Sequence, residues 1–154
     1  MNPFFDALVR YETELWNLLE RGLADDDRST VSLAQLESLR VIDRHSGSGR
    51  VQEISTELAI TVGAASKLVD RLERDGLVLR RPNPNDRRSA LVALTDQGSR
   101  ALEGAERVAS EILEGHLAPE EGSGPAVDVA ALTASLLQLR SRLATAADLV
   151  AVRA

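Results

Sequence analysis

Residues 51–98, VQEISTELAITVGAASKLVDRLERDGLVLRRPNPNDRRSALVALTDQG, set two short helical patterns back to back and follow them with an arginine-rich hairpin. That succession leaves few folds open. From Val51 to Ala59, the apolar residues Val51, Ile54 and Leu58 fall on one face of a helix too short to stand alone. Thr61 can cap a second helix that runs to about Asp75. Its inward residues are Ala65, Leu68, Val69 and Leu72. Its outward residues are Gly63, Ala64, Ser66, Lys67, Asp70, Arg71 and Arg74, and Gly76 is its stop. Two short helices joined by a tight turn, the second with a small, polar, basic outer face, make the helix-turn-helix pattern. Leu77 to Arg81 and Ala90 to Leu94 read as two strands, with Val92 and Leu94 on one face by the period of two. Between them PNPNDRRS is dense in turn residues and long for a simple hairpin loop.

The flanks are helical. Asn2 and Pro3 can open a first helix carrying Phe4, Leu8, Tyr11, Leu15, Leu18 and Leu19, with Gly22 as its expected end. Ser32 and Gln35 have capping-box spacing, and Val31 and Leu36 that of a hydrophobic staple. They start a helix with Leu36, Leu39 and Ile42 inward, stopped by residues 45–49. Thr95 caps a long helix to about Leu117, with Asp96 in its first turn and Ala101, Ala105, Val108, Ile112 and Leu113 apolar. After the break APEEGSGP, a last helix is expected to start near Pro125. Val129, Leu132, Leu136, Leu137, Leu139, Leu143, Ala147 and Val150 make it apolar on more than one face, as in a helix buried between partners. The fold class is therefore mainly α with a small β-hairpin wing. Within one subunit of 154 residues, 30–99 would form the winged helix-turn-helix, and 1–24 with 100–154 the dimerisation helices.

Charge distribution says more than its total. The net charge is −6, which on its own argues against a polyanionic partner. Yet from Lys67 to Arg88 seven basic residues face four acidic ones, a local +3 that leaves −9 for the rest. All basic residues but Lys67 are arginines, a side chain suited to bidentate phosphate and guanine contacts. The absence of cysteine removes disulfides, zinc-thiolate sites and thiol sensing. Charges in MNPFFDALVRYETELW interrupt any signal-peptide core, and no apolar run approaches the ~18 residues of a membrane span. A cytoplasmic protein with no membrane partner is expected.

The order of elements and the string NPNDRRSALVALTDQG together resemble the MarR family of winged helix-turn-helix transcriptional regulators. The family's wing-tip Asp-x-Arg, its apolar strand ending Leu-Thr and its helix-opening Gly correspond to Asp86, Arg88, Val92, Leu94, Thr95 and Gly98. LVDRLERDGLVLRR resembles the end of its recognition helix entering the first wing strand. The resemblance implies a homodimer bound to a near-palindromic duplex, and a repressor released by a small, often aromatic, effector. Under it, the helix from Thr61 to Asp75 lies in a major groove. Gly63 and Ala64 let its N-terminus approach the backbone, and Ser66, Lys67 and Arg71 reach bases or phosphates. Arg88 enters the adjacent minor groove, Asp86 braces it, and Arg80, Arg81 and Arg87 contact phosphates. Tyr11 and Trp16 lie where an effector pocket would have a wall. Two departures stand out. Ala59 occupies a turn where glycine is common, tolerable where the turn avoids a left-handed residue, and a Gly-Ser-Gly lengthens the link before the last helix.

No enzymatic constellation is visible. Nucleophile motifs, a phosphate-cradling loop and a His-x-x-x-His pair are all missing, and His45 and His116 are far apart. No metal and no cofactor are expected. The alternative class is a helical protein–protein adaptor using the same apolar terminal helices, which gives no reason for the basic cluster. Lys67 paired with Asp70, and Arg71 with Asp75, is the purely structural reading of the helix charges.

Overall fold

Side chains that cap helix ends fix most of the element boundaries. The computed structural model describes residues 2–47, 49–86, 89–118 and 127–151, the side chains of 144–151 excepted. Its elements are α1 (Pro3–Asp25), α2 (Leu33–Arg44), α3 (Val51–Glu57), α4 (Val62–Arg74), β1 (Val78–Pro82), β2 (Ala90–Leu94), α5 (Asp96–Leu117) and α6 (Val129–Ala151). Asn2 Oδ1 accepts the Phe4 N–H at 2.9 Å, ahead of the expected first-turn proline. Ser32 and Gln35 complete their reciprocal capping box at 3.3 and 2.9 Å. Thr61 Oγ1 accepts from Ala64, and Thr95 Oγ1 from Gly98, each three residues into its helix.

Two boundaries differ from expectation. Gly22 does not end α1, which continues to Asp25. The glycine is used for helix packing instead: a Cβ there would lie 2.3 Å from Ile112 Cδ1 of α5. The last helix begins at Val129, where Asp128 Oδ1 accepts the Ala131 N–H at 2.9 Å. Pro125 lies outside the described residues.

The chain divides into two compact units, one ending at Ile112 and one beginning at Leu113. In the first, α2 is the central element. Its Leu33, Leu36, Leu39, Val41 and Ile42 are buried with Leu23 of α1, Ile54 of α3, Ala65, Val69 and Leu72 of α4, Val92 of β2, and Leu102, Ala105 and Val108 of α5. Each large aliphatic side chain so enclosed is worth about 1.5–3 kcal/mol of transfer free energy. Val31 and Leu36, the expected staple pair, are both in this core. The α1–α2 loop is fastened to α5 through Arg28. Its carbonyl would meet a Cβ at Gly104 at 2.7 Å. Its guanidinium bridges Asp26 and Glu111, and hydrogen bonding from Arg28 holds the Asp26 carboxyl down at about 2.

The hairpin pairs β1 and β2 antiparallel, with Arg80 opposite Val92. A third segment joins at mid-strand, where the Val92 N–H donates to the Gly49 carbonyl at 2.7 Å. Val92 and Ala93 are the buried residues of β2, while Leu94 is half-buried, so the expected Val92–Leu94 face is not the whole of its packing. The strand is covered on its second side as well: a Cβ on Gly47, just past α2, would sit 3.4 Å from Ala93 Cβ.

Two helix ends use one motif with different residues. After α4, Gly76 is left-handed at φ +73°, with Gly76 N–H to Glu73 O and Leu77 N–H to Leu72 O. After α3, the same pair of bonds runs from Ala59 to Thr56 and from Ile60 to Ser55, and Ala59 itself stands at φ +51°. The turn therefore does take a left-handed residue, so the condition under which alanine is tolerable there is not met. The Ser55 hydroxyl helps hold it by donating to the Ile60 carbonyl at 2.8 Å.

The closest approach is at Gly98. A Cβ there would lie 1.9 Å from the Leu77 carbonyl oxygen, which also accepts the Thr95 N–H at 3.0 Å. The Thr95 hydroxyl donates to the Gly76 carbonyl at 2.7 Å. The start of α5 is thus seated on the corner where α4 turns into β1.

Three exchanges should separate in thermal unfolding. Ala59→Gly relieves an αL alanine and should raise stability by up to about 1 kcal/mol. Gly76→Ala should cost about 1–2 kcal/mol at the equivalent turn. Gly98→Ala, which drives a methyl into a backbone carbonyl, should cost about 3 kcal/mol or more. An Ala59→Gly protein that melted lower would show that the turn is not strained.

Candidate nucleic-acid interface

The outer face of α4 is built by the inward packing of Ala65, Val69 and Leu72, which leaves the opposite side to solvent. Gly63, Ala64, Lys67 and Arg71 are exposed and Ser66 is half-buried. Nothing would stand within 4 Å of a Cβ on Gly63, so the first turn is open to close approach. The free N–H groups of that turn point along the positive end of the helix dipole, favourable to phosphate.

The pairing of charges decides which cations are available. Among the described residues, Lys67, Arg71, Arg74 and Arg81 make no ion pair. The structural pairings of Lys67 with Asp70 and of Arg71 with Asp75 do not form. Asp70 is taken by Arg80, and Asp75 Oδ2 accepts from the Gln35 amide at 3.1 Å. Arg40, Arg44 and Arg50, by contrast, are each tied to a glutamate.

Arg80 is placed otherwise than the sequence suggested. Its guanidinium turns back onto α4, with Nη2 2.6 Å from Asp70 Oδ1 and Nη1 on Glu73 Oε2. Its backbone N–H also donates to Glu73 Oε1 at 3.2 Å. Partial burial works against its charge, and the hydrogen bonds to Asp70 and Glu73 more than offset that, so its pKa stands above the ordinary guanidinium value. Arg81, the next residue, points to the other side of the strand, where it lines a shallow cleft of about 260 Å³ with Asp43, Ser46 and Ala93.

The wing loop is closed from within. Asn83 is buried; its Oδ1 accepts the Asn85 N–H at 2.9 Å, and its Nδ2 donates to Ser89 Oγ at 2.9 Å across the loop. Asp86 is exposed, and its carbonyl accepts the Ser89 N–H at 3.1 Å. Arg87 and Arg88 lie outside the described residues. Asn83 was missed in the sequence, although Asn-x-Asn is the spacing of a side-chain-closed turn.

Tyr11 and Trp16 are 42% and 44% exposed on α1. Two clefts beside that helix are lined by other residues, one of about 290 Å³ by Glu20, Leu23, Ala24 and residues 29–32, and another by Asn17, Glu20 and Arg21. Among the described residues there is no cluster of His, Cys, Asp and Glu fit for a metal, and no helix long and apolar enough to cross a membrane.

A family model described as MarR family matches residues 31–90. The uncharacterized HTH-type transcriptional regulator YfiV of Bacillus subtilis is 30% identical over 107 residues, 64% of this chain and 66% of its own length. The multiple antibiotic resistance protein MarR of Escherichia coli is 37% identical over 65 residues, 42% of this chain and 45% of its own. The transcriptional repressor MdtR of B. subtilis is 36% identical over 72 residues, 47% and 46%. The chain thus spans between under half and about two-thirds of the length of these relatives. In structure the likeness is longer. A crystal structure of a mutant E. coli MarR complexed with operator DNA superposes with a TM-score of 0.73 at 26% identity, covering 89% of this chain and 93% of the other. The reduced form of E. coli MarR gives 0.73 at 26%, covering 90% and 97%.

Proposed function

The chain belongs to the MarR family, and on that footing we propose that it is a homodimeric, sequence-specific DNA-binding transcriptional regulator, acting as a repressor that a small effector releases. The observation that carries the reading is the outer face of α4, where Lys67 and Arg71 stand exposed and unpaired beside an open first turn. A solved relative of the same fold is bound to operator DNA, and another relative is named a repressor. In this reading α4 enters a major groove and the wing carrying Asp86, Arg87 and Arg88 reaches the neighbouring minor groove. Arg81 supplies a phosphate contact.

Residues 30–99 make up the DNA-binding part, and 1–24 with 100–154 the dimerisation part. What supports the second assignment is uncovered apolar surface: Phe4, Phe5, Leu8 and Val9 on α1, and Leu132, Leu136, Leu137 and Leu143 on α6, are all exposed in the single chain. Clustered exposed apolar side chains of this kind mark association surfaces. A second copy covers them in a two-fold arrangement, which sets the half-sites about one helical turn, ~34 Å, apart on a near-palindromic operator. A small aromatic effector favouring another spacing of the two recognition helices lowers DNA affinity by linkage, with Tyr11 and Trp16 as candidate wall residues. The regulator acts in the cytoplasm.

Binding to duplex fragments from upstream of its own coding sequence tests the core of the proposal. One fragment should bind far more tightly than random duplex at physiological salt. Lys67→Ala, Arg71→Ala and Arg88→Ala should each weaken that complex by about 1–3 kcal/mol. No preference among fragments would return the chain to the adaptor class.

Sedimentation at micromolar concentration should give a dimer, and Leu136→Asp with Leu143→Asp should give monomers that no longer bind the full operator. A wild-type monomer would end the two-fold geometry. For the effector, titration with a hydroxybenzoate should quench the single tryptophan, Trp16, and release DNA over the same concentrations. DNA release with Trp16 emission unchanged would move the pocket away from α1.

A further inference from the structure

The two carboxylates on the recognition helix are out of place for a surface that meets phosphate. Asp70 and Glu73 lie one turn apart on α4, next to Lys67, Arg71 and Arg74. Simple electrostatics makes each a cost to DNA binding. Both are instead engaged by Arg80 of β1, the side-chain donors on Asp70 and Glu73 and the backbone N–H on Glu73. The Arg80 side chain is only 26% exposed, so its donors are held at the junction and not offered outward.

The place where Arg80 sits on the hairpin adds to this. It is opposite Val92, whose own N–H is bonded to Gly49. The sheet is therefore fastened at one cross-section: to the segment before α3 on one side, and through Arg80 to α4 on the other. Position along β1 is fixed by backbone as well as side chain, since the Arg80 N–H and guanidinium grip the same glutamate.

We infer that Arg80 is a positioning residue which, through Asp70 and Glu73, locks the wing to the recognition helix so that both meet DNA as one rigid surface. The inference rests on the DNA-binding reading above, and it reassigns Arg80 from phosphate contact to the interior of the reading head. It also makes the two acids favourable to binding. Rigid presentation of two groove-reading parts avoids ordering them at the moment of association.

The sign of one effect tests it. Asp70→Ala/Glu73→Ala makes the helix more positive by two charges, so charge alone would tighten the operator complex. Positioning requires the opposite, a loss of roughly tenfold, within the range of coupled neighbouring residues. Arg80→Ala should weaken binding similarly, with the slope of log affinity against log salt unchanged because no phosphate contact is lost. Arg80→Lys, which keeps the charge and one bridge, should recover part of the loss.

Affinities are to be measured where urea titration shows each variant fully folded. If the double variant does not fold, Glu73→Ala alone should show a smaller loss of the same sign. Tighter or unchanged binding by the acid-deleted variants would overturn the inference, as would an Arg80→Ala slope shallower by about one. The wild-type chain on the same operator separates the two levels. If it binds nothing specifically, the DNA-binding reading itself falls, and the inference with it. If it binds and the variants tighten, only the positioning role of Arg80 fails.

Discussion

One carbonyl oxygen organises the first compact unit of this molecule. Leu77 O lies at the point where α4 has just ended and β1 is about to begin, and it receives the Thr95 N–H while the α-carbon of Gly98 passes close above it. The start of α5 is thereby brought to the corner between two consecutive elements, α4 and β1. The approach is possible only without a side chain at residue 98, and only because Gly76 turns left-handed one residue before Leu77. The Thr95 hydroxyl serves this corner twice, donating to the Gly76 carbonyl and accepting the Gly98 N–H. Helix cap and tertiary contact are the same atom.

Much of this was legible in the sequence because the relevant physics is local. Ser32 with Gln35, Thr61 and Thr95 each sit within a few residues of the backbone groups they satisfy, and each caps as read. Gly98 was marked by family resemblance, though its reason, a carbonyl in van der Waals contact, needed the fold. The misreadings share one cause. Gly22 resembles a helix stop until Ile112, ninety positions on, is found against it. Arg80 looks like a bare cation until the hairpin is folded back onto Asp70 and Glu73, which pair with it. Gly49 looks like the tail of a loop until it pairs with Val92. Ala59 was the reverse case: a local rule spoke against a left-handed alanine, and the tertiary gain from seating α3 against α4 prevailed.

Electrostatics here is a matter of pairing more than of totals. Several arginines outside the candidate interface are satisfied by nearby carboxylates, Arg28 by Asp26 and Glu111, Arg40 by Glu37 and Glu106, Arg44 by Glu57. Exposed pairs of this kind contribute little stability each. Lys67, Arg71, Arg74 and Arg81, cations of α4 and the hairpin, make no such pair among the described residues. An acidic chain can in this way present a basic face.

The bond from Val92 to Gly49 has a mechanical meaning. A hairpin projecting from a helical body is a cantilever, and its stiffness is set by where its root is clamped. Here the root is not at the first strand residue but further out, at the Arg80–Val92 cross-section. Only the span beyond it can bend, and the Asn83–Ser89 link stiffens that span near its tip. Force applied to the wing tip is therefore delivered to the segment joining α2 to α3 as well as to α4, so the hairpin is a lever with its fulcrum inside the body.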